Sequence, residues 1–479
     1  MLFPSIEYFL FFGIIFFTYW YLIPILFKEK VEFVKHFFLL ISSYYFYMSW
    51  DYRFGALILI STLIDFILAL LIEKETRNKI KLFYLNLSLF LNLICILGFF
   101  KYYDFLAKSL NYIQGKDTIP VLHIILPVGI SFFTFQSLSY TIDVYRGELK
   151  AEKSFLKFAL FVSFFPQLVA GPIVTAKTFL PQLSNSVHLE NIEFRKAIRY
   201  FIMGYVKKVI ISDNLSPIVD LIYKNSNSYD GIALFLGALF FLIQLYGDFS
   251  GYSDMAFGSA LLLGYHLPEN FLMPLKGTSV TDFWRRWHIS LTSWLRDYIY
   301  ISLGGSRKGP ILHKLNLFLT MFIAGVWHGA NWTFFIWGIY MGIFLVIESL
   351  LKPITSKIDL IKNQFFKNSI QFFSILYGIG IVAIGCSFFR GESIEQSIQM
   401  FFRILSLESG ISLRPYMIKT FLILFILVFI GYYYGTKIFE KAVEYKISQK
   451  LEFFIYPFLV LLIALFTNDN EAPFVYFQF

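Results

Sequence analysis

Residues 315–351 read LNLFLTMFIAGVWHGANWTFFIWGIYMGIFLVIESLL. Two apolar runs, 315 to 327 and 332 to 351, flank a short WHGAN turn, and that turn carries one titratable side chain, His328. A hydrocarbon core of about 30 Å needs roughly 20 apolar residues to cross. The second run meets that length. The first is shorter, and reads as a full span, a tilted helix or a re-entrant segment.

The rest of the chain has the same character. Of 479 residues, 57% are hydrophobic, 21% aromatic and only 15% charged, where a soluble domain carries about a quarter charged residues. Windows of spanning quality occur at 6–26, 55–73, 82–100, 121–140, 231–246, 332–351, 370–389, 419–435 and 452–466, with shorter apolar pieces at 36–50, 158–172, 199–212, 251–265 and 315–327. The pattern predicts an all-α, polytopic membrane protein of about ten to twelve transmembrane helices, with broken or interfacial helices between them. The first apolar segment has no basic start and no small-residue cleavage site, so it is expected to remain as a helix. With no internal repeat and no low-complexity linker, residues 1–479 read as a single membrane domain.

Only Cys95 and Cys386 are present, both in apolar windows, which offers neither a disulfide framework nor a cysteine metal site. The net charge of +9 lies in short loops between spans and reads as a topology signal, not as a nucleic-acid surface. Placing the basic loops at 28–35, 73–81, 146–157, 352–367 and 436–450 in the cytoplasm puts both the N-terminus and the tail NDNEAPFVYFQF outside.

The alternation fails between 267 and 314, a segment too polar to span and too aromatic for a floppy loop. Its composition suits short helices at the interface or folded back into the protein, where irregular backbone needs protein cover or a watery cavity. Here Arg285, Arg286 and His288 stand together. The arginines make an electropositive surface suited to phosphate or carboxylate groups, or to anchoring an interfacial helix. His328 is expected near a helix end, at membrane depth, where Gly329 relaxes the backbone. A histidine kept neutral there can accept a proton from a hydroxyl; the alternative is a buried histidine hydrogen-bonded for packing. No third ligand lies at short helical spacing from either histidine, which argues against a metal pair. Asp248 and Asp254, in QLYGDFSGYSDMAFG (244–258), are placed to orient a histidine, pair with an arginine or cap a helix break. FFPQLVAGPI (164–173) marks a broken helix of the kind that lines cavities.

Six stretches occur in an order that resembles the membrane-bound O-acyltransferase family: LPVGISFFTFQSLSYTIDVYRG, FFPQLVAGPI, YGDFSGYSDMA, FWRRWHISLTSWLRDYIYISLGG, WHGANWTFFIWG and the terminal FVYFQF. The likeness is closest to its bacterial alginate and peptidoglycan O-acetyltransferase branch. It implies a helical ring with a central funnel, in which the residue matching His328 is catalytic, supported by its sequence neighbour Trp327, and the one matching His288 stands close by. It further implies a cytoplasmic thioester donor, with acetyl-CoA as the natural choice and no bound cofactor, and an acceptor polysaccharide outside the bacterial inner membrane. A periplasmic or extracellular partner protein would complete the transfer. In that frame His328 is the general base, His288, Asn331 or a backbone N–H steadies the oxyanion, Asp248 and Asp254 orient, and Arg285 and Arg286 meet the donor. Tyr476 in the tail is the candidate acyl relay; the alternative is an interfacial aromatic anchor of Phe474, Tyr476 and Phe477.

Two other readings compete. A D-alanyl transferase for teichoic acid would take its donor from an acyl carrier protein. A polysaccharide or lipid transporter would also have polar cavities lined by broken helices, but would tolerate loss of His328.

Overall fold

A computed structural model describes residues 3–169, 171–355, 363–423 and 474–475 of the chain. Among the described residues it is helical, with one isolated bridge between Tyr229 and Ile411 and no strand. Seven helices there are long and apolar enough to cross a membrane: Ile6–Leu26, Arg53–Lys74, Asn78–Gln114, Gly231–Leu262, Pro310–His328, Trp332–Pro353 and Gln364–Arg390. The chain is a multi-pass helical membrane protein. The windows at 419–435 and 452–466 lie largely or wholly outside the described residues, as does the 436–450 loop.

Two windows differ from their hydropathy. The stretch 121–140 is not one helix: the chain is irregular up to Gly129 and helical only from Ile130 to Tyr145, because Pro120 and Pro127 interrupt the ladder. Gly129 caps that helix at φ +74°, and a Cβ on it would lie 2.7 Å from the Leu168 carbonyl. Conversely, 231–246 and 251–265 join in one 32-residue helix, Gly231–Leu262. Asp248 and Asp254 therefore sit inside a continuous helix and do not cap a break.

The chain divides into two compact units. The first runs from the N-terminal residues to Phe201 and takes in Ser253–Pro268. Its Ile130–Tyr145 helix is buried along almost its whole length despite many hydroxyl side chains. One of them, Thr141, joins side chains of the Asn78–Gln114 helix in satisfying a carboxyl on the neighbouring helix: Asp65, wholly buried within Arg53–Lys74, accepts from Thr141, Ser88 and Asn92, and Ser61 donates to Asn92 at 2.7 Å. A carboxyl in such a span is tolerated only with this kind of internal satisfaction. The expected broken helix is present in the same unit. Phe155–Ser163 ends one residue before Phe165–Leu168, and the free ends are met by side chains, with Phe165 N–H donating to Ser43 Oγ at 3.1 Å and Gln167 Nε2 to the Phe161 carbonyl at 2.7 Å.

The second unit comprises Ile202–Tyr252 and the described residues from Glu269 onward. Its centre is a hairpin of two apolar helices, Pro310–His328 and Trp332–Thr355. Small residues set how closely they run: a Cβ on Gly325 would lie 2.5 Å from the Phe334 carbonyl, and one on Gly338 3.0 Å from that of Met321. Gly338 and Gly342 form a small-xxx-small seam, the pattern that lets helix backbones touch in membranes. The segment 267–314 has no spanning helix before Pro310. It folds as short pieces, Pro274–Lys276, Val280–Arg286, Ile289–Leu295 and Arg296–Tyr300. Glu348, from the hairpin, fixes the first turn of Val280–Arg286 by accepting from the Val280 and Thr281 N–H groups at 2.6 and 2.8 Å.

Candidate active site

His328 is the last residue of the Pro310–His328 helix, which at 1.5 Å per residue is about 28 Å long. It is buried, 5% exposed. Its ring lies 5.1 Å from the Trp327 and Trp337 rings and 5.0 Å from that of Phe389, all at steep angles. Trp337 sits one turn into the returning helix and Phe389 near the end of Gln364–Arg390, so three helices converge on one imidazole. The turn that delivers it is sterically fixed. Gly329 is extended, and a Cβ there would fall 2.2 Å from the Phe334 ring. Asn331 Oδ1 accepts the Thr333 N–H at 3.1 Å and caps the returning helix.

His288 arrives from the irregular segment. Its backbone is left-handed, φ +44° and ψ +53°, a conformation uncommon for a side chain of this size. The flanking hydrogen bonds hold it there: Ile289 N–H donates to the Asn270 carbonyl at 2.9 Å, Ser290 Oγ to Asn270 Oδ1 at 2.8 Å, and Leu272 N–H to the Arg286 carbonyl at 2.9 Å. The imidazole is buried, 1% exposed. Its ring stands 4.6 Å from Phe249 and 5.9 Å from Trp327. The Trp327 indole thus touches both histidines. Burial pushes His288 down to about 3, so the ring is neutral at neutral pH.

The two arginines before it differ. Arg286 pairs with Asp282 at 2.9 Å, one helical turn back, whereas Arg285 is exposed. Asp248 is fully buried, with Oδ1 2.9 Å from Lys208 Nζ and Oδ2 accepting the Val475 N–H at 2.7 Å. Lys208 also reaches Asp213 at 2.8 Å. Asp254, six residues further along the same helix, belongs to the first unit. Phe474 is buried against Tyr252 and Phe249, at 4.5 and 5.9 Å between rings, which excludes an interfacial anchor role for it. Tyr476 and Phe477 lie outside the described residues.

The sequence reading missed Lys208, Phe249, Trp337, Phe389 and Asn270. Lys208 was findable, since YVKKVII (205–211) places a lysine in an apolar run. The three aromatic rings and Asn270 carry no such signal in a chain with 60 phenylalanines.

Fold and site define a class: a multi-pass helical membrane enzyme whose second unit buries two histidines around a shared indole. Residues 80–389 match the membrane-bound O-acyltransferase (MBOAT) family, and the chain belongs to it. It is 37% identical over 467 residues to a probable alginate O-acetylase of Pseudomonas putida, covering 92% of this chain and 94% of the relative. To the probable alginate O-acetylase of Azotobacter vinelandii it is 41% identical over 77% of this chain and 72% of the relative. To a peptidoglycan O-acetyltransferase of Helicobacter pylori it is 35% identical over 78% and 74%. A teichoic acid D-alanyltransferase of Streptococcus thermophilus is 30% identical over only 46% of this chain. The protein is an acyltransferase of this family, in the branch whose relatives are named alginate O-acetylase and peptidoglycan O-acetyltransferase.

Proposed function

We propose that the protein transfers an acetyl group from a cytoplasmic thioester, acetyl-CoA, to a hydroxyl of an extracytoplasmic polysaccharide of the alginate or peptidoglycan kind, from the bacterial inner membrane. The observation that carries this reading is the burial of His328 at a helix end with His288 against the same indole. A neutral imidazole in apolar surroundings is a competent base for a hydroxyl and a poor resting place for charge.

The step balances simply. The acceptor oxygen attacks the thioester carbonyl as its proton passes to His328. The C–S bond then breaks, and the same proton returns to the leaving thiolate. The negative charge that develops on the carbonyl oxygen needs a donor, and the candidates are His288, the amide nitrogen of Asn331, whose oxygen is engaged in the helix cap, and a backbone N–H near Gly329. Trp327 keeps the two imidazoles apart and dry. Arg285 is the exposed cation available to a donor phosphate, with Arg286 as support. In this reading Tyr476 takes the acetyl group first, as a phenyl ester, and a separate extracytoplasmic protein moves it to the polysaccharide. A phenol with a pKa near 10 leaves readily enough to suit a relay.

The test uses the full chain in lipid nanodiscs with radiolabelled acetyl-CoA, following thioester cleavage and label on the protein. Wild type is expected to cleave and His328→Gln to lose cleavage while keeping its fold. Cleavage at the wild-type rate by His328→Gln would reject the assignment. A wild type active only with an acylated carrier protein would move the donor to the carrier class.

A further inference from the structure

The Phe389 ring stands 5.0 Å from the His328 imidazole and also meets Trp337 at 5.3 Å and Phe334 at 5.0 Å. It belongs to the last turn of Gln364–Arg390, and that turn is gripped at two points by a second helix, Asp213–Lys224. The Tyr223 hydroxyl donates to the Cys386 carbonyl at 3.1 Å, and Arg390 Nη2 donates to Asp220 Oδ1 at 2.9 Å. Residues three or four apart share a helix face, so Asp220 with Tyr223 forms one surface and Cys386 with Arg390 the other. The two holds differ in strength. Tyr223 is buried, where a phenol that loses its partner is costly, so its bond is firmly kept. The Arg390–Asp220 pair is partly exposed, where a bridge adds little stability, and it serves to direct the turn.

Asp213–Lys224 is a firm support for this grip. Lys208 ties its first residue to the Gly231–Leu262 helix, lying 2.8 Å from Asp213 and 2.9 Å from Asp248. Glycines of that helix bring the chains close: a Cβ on Gly247 would lie 2.9 Å from the Lys207 carbonyl, one on Gly251 2.7 Å from that of Gly204, and one on Gly237 2.6 Å from Ile222 Cγ2. The Tyr223 ring also continues through Phe241, at 5.9 Å, to Phe389, at 6.4 Å. We propose that Tyr223, assisted by the Asp220–Arg390 pair, is a positioning residue for acyl transfer, holding the 386–390 turn so that Phe389 covers and orients the His328 imidazole. Its bearing on transfer rests on the assignment of His328 as the base, whereas the hold on Phe389 does not depend on it.

Tyr223→Phe removes one hydroxyl and keeps the ring contacts with Phe241. Full-length protein in lipid nanodiscs is read by kcat and KM for acetyl-CoA cleavage, by melting, and by the rate at which diethyl pyrocarbonate labels His328, resolved by mass spectrometry from the labelling of His288. In Tyr223→Phe, kcat should fall about tenfold with KM little changed, because a small displacement of a reacting group is enough to cost rate. Labelling of His328 should rise about tenfold through local opening of the turn, with His288 labelling and melting near wild type. Asp220→Arg should lower kcat about threefold, and Asp220→Arg/Arg390→Asp should restore it. Wild-type kcat or wild-type His328 labelling in Tyr223→Phe would overturn the proposal, as would equal acceleration at both histidines, which would report general loosening. A charge swap no better than Asp220→Arg would overturn the part given to the ion pair. A wild type that cleaves no acetyl-CoA would reject the donor and base assignment, and the labelling rates would still decide whether Tyr223 holds Phe389 on His328.

Discussion

The Phe249 ring meets the His288 imidazole at 4.6 Å between centroids with 78° between their planes, an edge-to-face contact inside a fully buried site. Such pairs contribute about 0.5–1.5 kcal/mol beyond the area they bury, and they fix orientation. Replacing Phe249 with leucine keeps an apolar filler and removes the edge. Acyl transfer should fall about tenfold, with a smaller change in thermal stability, because a displacement on the ångström scale is enough to misalign a reacting group. An unchanged rate in purified Phe249→Leu would show that His288 needs no such support.

Gly329 gives a test of how tightly the His328 turn is set. An alanine Cβ there would meet the Phe334 ring at 2.2 Å, so the turn or the ring has to move. Gly329→Ala should destabilise the protein by about 1–3 kcal/mol and reduce transfer. Shortening the obstacle in Gly329→Ala/Phe334→Ala should restore part of the activity. A single variant with wild-type melting and rate would mean that the turn yields without consequence.

For His328 the magnitude is larger. General acid–base catalysis by a positioned side chain contributes about a hundredfold to ten-thousandfold, and His328→Gln should lose at least the lower figure in transfer rate. Elution and melting in detergent should stay near wild type, because the surrounding Trp327, Trp337 and Phe389 rings accept an isosteric amide. A variant that unfolds would assign His328 to packing.

His288 makes a pH signature. Its folded value near 3 lies below the ordinary histidine value of about 6.5. Below 6.5 the unfolded chain takes up a proton that the folded chain refuses, so stability is full above that pH and is lost as pH falls from 6.5 toward 3. Between pH 7 and pH 5 this one group removes about 2 kcal/mol. His288→Asn, which tolerates the left-handed backbone, should show a flatter decline over the same interval when unfolding is followed by urea or heat. Parallel curves for the two proteins would exclude a buried neutral His288.

The titratable residues were the readable part of this site. His328 and His288 stand out because an ionisable group in an apolar chain demands a reason, and FFPQLVAGPI announced its own break through proline and glycine. Hydropathy failed where it could not see backbone chemistry: 121–140 is apolar enough to span, yet two prolines and Gly129 keep its first half irregular. It also split Gly231–Leu262, since Gly247, Asp248, Ser250 and Gly251 look like a helix break. They are instead the residues that let another backbone approach and meet its lysine. The burial of Phe474 and Val475 was unreadable for a further reason. Nothing in the sequence says that a carboxylate at 248 will find the amide at 475, because that pairing is made by packing and not by spacing.

The seam of Gly325, Gly338 and Gly342 has a bearing on the solvent of the reaction. Backbones that close leave no gap for an acyl chain, so lipid is excluded from between the two helices that deliver His328 and Trp337. A change of bilayer thickness or headgroup acts on the outer faces of this hairpin and stops there. The medium around the imidazole is made of indole and phenyl rings carried by the protein itself, and it travels with the chain into whatever membrane receives it.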